Sequence, residues 1–308
     1  MQGIIIKNVA NLHRDKSADS ERITQAIMGQ MVQIEKDEGE WLYVKTWDTY
    51  HGWIQSRWVS CALPQPTTIV TVTSLFTDAL RAPDPDGEIR TKLVITTSLE
   101  FLDKQGRLVY VRLPDGNDAW VLSGDVEIGR AEKTASLKPV GSELVRTAKR
   151  FLGVPYLWGG TTPFGLDCSG FAQLVYKIHG VRLLRDAHMQ ANDLRAAAVE
   201  KADLAPGDLV FFAYEEGKVT HVGIALGDGR FIHSTANIGV TISRLDDEPY
   251  RRDYWGARIR PRHSAPTAVP PADGIPKKAG DPAAGGKMTR LPIPQACSSR
   301  LPTDTSLL

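Results

Sequence analysis

Residues 165–180 read GLDCSGFAQLVYKIHG, and this stretch predicts the helix around which the fold is built. Four apolar side chains recur in it at helical spacing: Phe171, Leu174, Val175 and Ile178. A helix with one apolar face packs that face on a core. We expect it to begin at Asp167 or Cys168 and to end at Gly180, since glycine commonly terminates helices.

A cysteine lies in the first turn of this predicted helix. Unpaired N–H groups and the positive end of the helix dipole favour a thiolate there, and the thiolate is the attacking form of the sulfur. Cys168 is therefore a candidate nucleophile, although a lone cysteine is often only a small buried residue. The three cysteines of the chain are scattered and odd in number, so at least one is expected to be a free thiol.

A cysteine nucleophile requires a nearby base, and the base requires a group that orients its other ring nitrogen. The stretch HVGIALGDGRFIHST predicts a hairpin that carries two histidines. If GDG is a three-residue loop, His221 faces Thr235, and side-chain alternation places His221 and His233 on one face of the sheet. Gly223 and Ala225 continue that face and are expected to leave room for the helix end that carries the cysteine. Two unrelated histidines on a solvated hairpin are the alternative.

The chain before this region is rich in short predicted strands. Residues 3–60 alternate β-rich runs with turn signals, and residues 70–128 repeat the plan, again with a tryptophan near the end. This pattern favours two tandem β-barrels, over residues 1–62 and 63–130.

The region that follows is predicted to be an α+β domain over residues 140–263, because helical segments precede a series of strands. Ser142 is expected to cap a first helix that ends before Gly153. The alanine-rich stretch 190–200 is also expected to be helical. Residues 264–308 are rich in proline, glycine and other small residues and are predicted to be a disordered tail.

The composition excludes several classes of function. Because 37 Lys and Arg residues balance 36 Asp and Glu residues, an electrostatic grip on nucleic acid or on an anionic membrane is excluded as the main activity. No apolar run approaches the roughly 18 residues that a membrane-spanning helix needs. The histidines are not gathered with acids or thiols at metal-ligand spacing, so we expect neither a metal nor another cofactor.

Several motifs of the chain resemble those of a known family. Four of them agree in order and spacing with the NlpC/p60 cysteine peptidases of bacterial cell-wall metabolism: PYLWGG at 155–160, GLDCSGF at 165–171, HVGI at 221–224 and FIHS at 231–234. The resemblance covers about residues 140–260 and implies a papain-like catalytic domain. The tandem barrels resemble bacterial SH3-like domains in the stretches SERITQ, GEWLYV and GWI. The whole arrangement is similar to peptidases that cut γ-D-glutamyl–diamino acid bonds in murein peptides with a free N-terminal L-alanine.

Catalytic roles follow from this resemblance. It implies Cys168 as the nucleophile, His221 as the general base and His233 as the residue that orients the base. Attack of the sulfur on the amide carbon would give an oxyanion and then a thioester acyl-enzyme. The resemblance also implies that the Tyr156 phenol and the Cys168 N–H bind the oxyanion, although Tyr156 could equally be a packing phenol.

The residues expected to contact substrate follow in the same way. Asp167 and Ser169 flank the nucleophile and are expected near polar groups of the substrate, although capping the helix is the simpler interpretation of Asp167. In the stretch RDAHMQ, Asp186 is expected in a loop beside the substrate. Ala187 stands where close relatives are expected to have a serine, so only its backbone could serve there.

Two residues of the first barrel are candidates for recognising a free amino terminus. The resemblance points to Glu21 and Tyr50, a carboxylate and an aromatic wall that would pair with an ammonium group and block longer stem peptides. Each also has an ordinary explanation, as a surface acid and as a ring stacked on the barrel.

The sequence thus predicts a monomeric or weakly associating, cofactor-free cysteine endopeptidase that acts on murein stem peptides and has no nucleic-acid partner and no membrane span. An amidase or transpeptidase with the same Cys and His pair is one alternative, and a non-catalytic peptidoglycan-binding protein is the other. Because no export signal is recognisable, we expect a cytoplasmic enzyme that recycles imported muropeptides. A periplasmic or secreted enzyme is the alternative if the natural chain starts further upstream.

Overall fold

Strands form most of the regular structure in the described residues, and the α-helices among them all follow residue 140. A computed structural model of the chain describes four segments: residues 1–130, 140–193, 195–214 and 217–258. The described residues belong to one compact unit. The α+β class, with β-rich units in front of a mixed unit, is therefore confirmed.

The first sheet has seven strands. They are β1 (Gln2–Ile5), β2 (Val9–His13), β3 (Arg22–Ile27), β4 (Met31–Asp37), β5 (Trp41–Lys45), β6 (His51–Gln55) and β7 (Val59–Ser60), with a 3₁₀ turn at Ser56–Trp58. Their order in the sheet is β3-β2-β6-β5-β4-β1-β7. Alternate residues point inward, as Leu42 and Val44 do in β5. This two-residue period is what a sheet packed on one face requires.

The second sheet repeats this plan. Its strands are β8 (Thr68–Val72), β9 (Phe76–Leu80), β10 (Ile89–Val94), β11 (Ser98–Gln105), β12 (Leu108–Arg112), β13 (Asp118–Leu122) and β14 (Val126–Arg130), with a 3₁₀ turn at Ser123–Asp125. Their order, β10-β9-β13-β12-β11-β8-β14, is the order of the first sheet shifted by seven strands. The two sheets are therefore copies of one architecture, which agrees with the duplication expected from the sequence.

The two sheets pack against each other at the turn between β3 and β4. Met28 is buried and packs in the core of the second sheet, among side chains such as Val70 and Leu93. Gly29 has a positive φ of 80°, and a Cβ there would lie 2.2 Å from the Ser98 carbonyl oxygen. Because no other residue fits such an approach, glycine at this turn allows the backbones to pack closely.

The mixed unit contains four helices and eight strands in its described residues. They are α1 (Gly141–Lys149), β15 (Thr161–Thr162), β16 (Gly165–Leu166), α2 (Cys168–Ile178), α3 (Ala187–Ala191), β17 (Ala198–Val199), β18 (Leu209–Phe212), β19 (His221–Gly227), β20 (Arg230–Thr235), β21 (Gly239–Arg244), α4 (Tyr250–Asp253) and β22 (Tyr254–Arg258). A 3₁₀ turn occupies Lys201–Asp203. The main sheet has the order β17-β22-β18-β19-β20-β21, and its neighbours are antiparallel.

The helix predicted from GLDCSGFAQLVYKIHG forms the centre of this unit. It runs from Cys168 to Ile178, and Gly180 follows it with a positive φ of 75°. Its apolar face packs in one core with Val222 and Ile224 of the main sheet. The prediction of its start, its end and its buried face is confirmed.

Two other predictions for this unit are wrong. Ser142 does not cap α1: the helix begins earlier, at Gly141, and Val140 is its capping residue. Gly141 fits closely against Gly207, where a Cβ on Gly207 would lie 3.0 Å from the Gly141 Cα. The stretch 190–200 does not form the expected helix either: α3 ends at Ala191, and Ala198 and Val199 form the edge strand β17. The pairing of β17 with β22 overrides the local helix propensity of the alanines.

Two predicted regions lie outside the described residues. These are the linker 131–139 and the tail 264–308. In the part of the chain that the structure describes, no helix is both long enough and apolar enough to cross a bilayer.

Candidate active site

Cys168 is the first residue of α2. Asp167, the preceding residue, caps this helix, and its Oδ1 accepts the Gly170 N–H at 2.6 Å. The capping role expected for Asp167 is thus confirmed. Cys168 is a free cysteine that is 9 % exposed. The sulfur therefore lies at the helix start, in a residue that is almost completely buried.

The sulfur contacts the backbone on both sides of His221. Cys168 Sγ lies 3.9 Å from the carbonyl oxygen of Thr220. On the other side, the Val222 N–H favours the ionised form of the sulfur and so lowers the pKa of the thiol. Since His221 is the residue between these two and the first residue of β19, the structure brings the beginning of the helix to the beginning of the histidine strand.

The expected reason for the small residues on that strand is wrong. The helix packs on the face that carries Val222 and Ile224. Gly223, on the other face, makes room for an aromatic ring, because a Cβ there would lie 2.6 Å from Phe231 Cδ2. Cys168 therefore approaches β19 from the face of Val222, at the beginning of the strand, and not across the histidine face.

The two histidines meet as the predicted hairpin register requires. Two pairs have that register: Ile224 with Ile232, and Ala225 with Phe231. A bulge then pairs Gly227 with Arg230, so the loop has two residues instead of three. His221 Nε2 and His233 Nδ1 are 2.7 Å apart, and the alternative of two unrelated histidines is excluded.

A serine completes this chain of hydrogen bonds. His233 Nε2 lies 3.0 Å from Ser243 Oγ on the neighbouring strand β21. If the Nε2–H of His221 donates to His233 Nδ1, His233 carries its own proton on Nε2 and donates it to Ser243. In that tautomer His221 Nδ1 is unprotonated and can act as a base. The rings of Phe231 and Tyr250 pack on His233, with centroid distances of 4.5 and 5.1 Å, and fix its plane.

The thiol and the imidazoles are all neutral near pH 7. Burial, and next the charge of Asp167, raise the pKa of Cys168 to about 12. Burial lowers the pKa of His221 to about 4, and burial together with the neighbouring His221 lowers that of His233 further. The thiolate expected at a helix start is therefore not the resting form, because burial outweighs the N–H donors of Val222 and Ser169.

Tyr156 lies beside the nucleophile and is half-buried. It forms an isolated bridge with Leu166, two residues before Cys168. Burial, and next the charge that an ionised Cys168 would carry, raise the pKa of its phenol. The hydroxyl is therefore protonated at neutral pH and is able to donate a hydrogen bond near the sulfur.

Arg185 is a buried cation that holds the start of α2. It is 1 % exposed and donates to both carboxylate oxygens of Asp167, at 3.1 and 2.5 Å, and to Ser169 Oγ at 3.0 Å. Its Nε–H donates to Thr24 Oγ1 of the first sheet at 2.9 Å. Asp167 also accepts the Gly159 N–H at 3.0 Å. Both side chains are buried and hydrogen-bonded within this network, and their expected substrate contacts stay a prediction.

The first sheet reaches the catalytic unit through both of its candidate residues. The Tyr50 hydroxyl donates to Asp186 Oδ2 at 3.0 Å. Trp158 Nε1–H donates to Glu21 Oε1 at 2.8 Å, while Arg14 binds the other oxygen of Glu21 at 2.7 Å. The Glu21 side chain is 35 % exposed. The first sheet therefore forms a wall beside the PYLWGG loop, and its carboxylate remains accessible to solvent.

Ala187 follows Asp186 and is the first residue of the short helix α3. It is buried, and its methyl group has no hydrogen-bonding atom. Any hydrogen bond from this position must therefore come from the backbone, as expected from the sequence.

Comparison with known proteins agrees with this site. The NlpC/P60 family model matches residues 153–259, and the bacterial SH3 domain model matches residues 8–60. The chain is 33 % identical over 253 residues to the γ-D-glutamyl-L-lysine dipeptidyl-peptidase of Bacillus cereus, covering 76 % of this chain and 74 % of that relative. The enzyme of the same name from Bacillus subtilis is 30 % identical over 246 residues, covering 76 % and 80 %.

The chain belongs to the NlpC/P60 family. It is a cysteine peptidase, and its NlpC/P60 domain follows an SH3-like β domain. Among solved structures, an NlpC/P60 family protein from Bacillus cereus superposes with a TM-score of 0.75 at 28 % identity, over 85 % of this chain and 100 % of that one. The family resemblance of the sequence motifs is thus confirmed.

Three residues of this NlpC/P60 site were not predicted from the sequence: Arg185, Tyr214 and Ser243. Arg185 directly precedes Asp186, so a basic residue within the RDAHMQ stretch was its only local signal. Ser243 shares a face of β21 with Thr241, which pairs with His233, and a register for β21 would have found it. Tyr214 follows the apolar strand β18, and its ring stacks on His221 at a centroid distance of 5.8 Å.

Proposed function

We propose that the chain hydrolyses the γ-D-glutamyl–diamino acid amide bond of murein peptides that have a free N-terminal L-alanine. The observation that carries this proposal is that Glu21 and Tyr50 of the first sheet hydrogen-bond to the catalytic unit, at Trp158 of the PYLWGG loop and at Asp186. The two Bacillus relatives are named for cleavage at γ-D-glutamyl-L-lysine, which is the same class of bond.

The neutral thiol and imidazole suggest how the nucleophile is activated. His221 takes the Cys168 proton as the sulfur attacks the amide carbon, and the carbonyl electrons move to the oxygen. The Tyr156 hydroxyl and the Cys168 N–H are the donors that we assign to this oxyanion. When the intermediate collapses, the C–N bond breaks, the leaving amine takes the proton from His221, and the acyl group stays on sulfur as a thioester.

Water completes the reaction in a second half that mirrors the first. His221 removes a proton from water as the oxygen adds to the thioester carbon. The C–S bond then breaks, a carboxyl product is formed, and the sulfur recovers its proton from His221. His233 holds the imidazole in place during both halves through the 2.7 Å contact between the rings.

The free amino terminus is assigned to the first-sheet wall. Each Glu21 oxygen has one protein donor, and a carboxylate oxygen has capacity for two, so the partly exposed group can also accept from an ammonium. The Tyr50 ring is fixed by its bond to Asp186 and limits the space beyond. A stem peptide extended at its amino end would lack the positive charge that pairs with Glu21, and its extra residues would clash with the Tyr50 ring.

Two synthetic peptides test this proposal: L-Ala-γ-D-Glu-L-Lys and the same compound with an acetylated amino group. Mass spectrometry should detect L-Ala-γ-D-Glu from the free peptide and no cleavage of the acetylated one. Cleavage of both would remove the roles of Glu21 and Tyr50. Transfer of the acyl group to an added amine would favour a transpeptidase, and binding to insoluble murein without cleavage would favour a binding protein. Turnover by a Cys168→Ala variant would exclude the thioester.

A cytoplasmic recycling role and a monomeric state are further parts of the proposal. Cell fractionation with an antibody tests the first, and light scattering of the purified protein tests the second. Activity confined to an exported fraction, or a mass twice that of one chain, would contradict them.

A further inference from the structure

Tyr214 is an exposed aromatic residue beside the catalytic imidazole, and the reaction described above gives it no role. Its ring stacks on His221, with centroids 5.8 Å apart and planes 28° apart. Nearly half of its surface, 49 %, is exposed. Its N–H donates to the Thr220 hydroxyl at 3.5 Å, and the Thr220 carbonyl is the one that the Cys168 sulfur contacts. Tyr214 therefore forms an open wall next to both reacting groups.

The proton transfers of amide hydrolysis decide which part of the substrate lies at this wall. His221 must deliver its proton to the leaving amine, so the nitrogen of the leaving residue has to come within hydrogen-bond distance of the imidazole. The acyl part of the substrate extends from the same carbonyl toward Glu21 and Tyr50 in the proposed function. The leaving residue consequently passes along His221, where Tyr214 lies.

We propose that Tyr214 forms the binding subsite for the leaving diamino acid residue, an inference that rests on the proposed function. The ligand class is an aliphatic side chain that ends in an ammonium group. Its methylene stem can pack on the exposed ring face, and the ammonium is attracted by the ring electrons.

The surroundings of Tyr214 suit this ligand. Burial, and next the neighbouring Tyr250 and Cys168, raise the pKa of its phenol, so the hydroxyl keeps its proton at neutral pH, and its oxygen can accept from an ammonium group. The stack on His221 holds the ring in one orientation, so little side-chain entropy is lost on binding. Tyr214 thus combines an accessible surface with a fixed position.

Two substrates with the same acyl part test the proposal: L-Ala-γ-D-Glu-L-Lys and the γ-methyl ester of L-Ala-D-Glu. Both give the same acyl-enzyme, but only the peptide has a leaving residue with a side chain. Tyr214→Ala should lower kcat/KM for the peptide by about tenfold, the scale of one lost side-chain contact in a pocket. Hydrolysis of the ester should stay within about twofold, and Tyr214→Phe, which keeps the ring, should retain most activity on both.

A third substrate, with L-alanine in place of L-lysine, measures the preference directly. The parent protein should prefer lysine, and Tyr214→Ala should remove that preference. Equal losses on peptide and ester would show that Tyr214 only positions His221, and that result would overturn the subsite, as would an unchanged kcat/KM for the peptide. A parent protein that cleaves neither peptide nor ester overturns the proposed function, and the subsite with it.

Discussion

The two β-sheets carry the same ion pair at the same place, but only one of these pairs faces the catalytic site. Arg14 binds Glu21 at 2.7 Å in the first sheet, and Arg81 binds Glu88 at 2.6 Å in the second. In each pair the backbone N–H of the arginine also donates to the backbone carbonyl of the glutamate at 2.9 Å. Glu88 is 72 % exposed, whereas Glu21 also accepts from Trp158. The two ion pairs are thus alike, and they differ in what lies next to the glutamate: Glu21 contacts the catalytic unit, whereas Glu88 is largely exposed to solvent.

The two sheets also meet the catalytic unit through different kinds of contact. The first sheet uses hydrogen bonds between buried or partly buried groups: Thr24 with Arg185, Asp48 with Gln173, and Gln25 with Thr161. The second contributes mainly apolar contacts: Ile95 and Leu75 in the core around α2, and the Phe76 ring on Phe164. Hydrogen bonds fix direction, whereas apolar contacts are less directional. We infer that the first sheet positions the site and that the second mainly stabilises it.

The largest expected effect comes from the buried cation that joins the first sheet to the nucleophile helix. Arg185→Met leaves the Asp167 carboxylate buried without its partner, and such a loss costs about 3–5 kcal/mol. We expect this decrease in the free energy of unfolding in urea, and a loss of kcat/KM of at least about a hundredfold because the helix cap shifts. An unfolding free energy within about 1 kcal/mol of the parent's would contradict the role given to Arg185.

Lys92→Met is the matched control on the second sheet. It removes the cation of the exposed Lys92–Asp78 pair. Because exposed pairs contribute little, this variant should change the unfolding free energy by less than about 1 kcal/mol. Its kcat/KM should equal that of the parent.

As the pH falls, the catalytic unit should lose stability at a higher pH than the second sheet does. The pKa of His221 falls from an ordinary 6.5 to about 4 through burial. A histidine held neutral in this way stabilises the fold fully above pH 6.5, and the contribution, on the order of 3 kcal/mol, is lost as the pH falls toward 4. The second sheet, residues 68–130, contains no histidine.

Hydrogen exchange measures this difference. Between pH 7 and pH 4.5, corrected for the intrinsic rates, protection should fall more in β19 and β20 than in β11 and β12. An equal fall in the four strands would mean that the buried histidines do not govern acid stability.

Local patterns were enough to predict the parts of the fold that depend on local contacts. The helix at Cys168–Ile178 followed from apolar spacing, a cap and a terminating glycine, all within one stretch. The histidine hairpin followed from side-chain alternation on either side of one turn. The prediction of a helix over residues 190–200 was wrong because Ala198 pairs with Arg258, sixty residues later in the chain. No local signal in the sequence reveals such a pairing.

The residues of the active site likewise fall into those that local sequence patterns predict and those that they do not. His221 and His233 could be paired from the hairpin register, but the approach of Cys168 required a resemblance to known motifs. Arg185 could not be predicted as the centre of a network, because one of its partners, Thr24, lies 161 residues away in another sheet. The neutral thiol was also missed, since burial depends on the whole core and not on the helix start alone.

Replacing one glutamate in each sheet by glutamine tests whether only the first-sheet carboxylate recognises the substrate. Glu21→Gln and Glu88→Gln each remove the charge paired with an arginine, so their effects on the local fold should be similar. Only Glu21→Gln should reduce the preference for the free peptide over the acetylated one, by about tenfold or more, because a charged partner of the substrate ammonium is lost. Kinetics with both peptides measures this. A similar change in Glu88→Gln would mean that loss of an ion pair, and not recognition, is the cause.

The smallest expected effect tests whether the second sheet does more than stabilise. The Phe76 and Phe164 rings lie 4.9 Å apart, and Phe164 immediately precedes the GLDCSGF stretch. Phe164→Ala should lower the free energy of unfolding by about 1 kcal/mol, the usual scale of an aromatic pair. The preference for the free amino terminus should stay as it is, since Glu21 and Tyr50 are untouched. If that preference collapses while urea unfolding changes little, the second sheet takes part in positioning the substrate, and the division between the two copies is wrong.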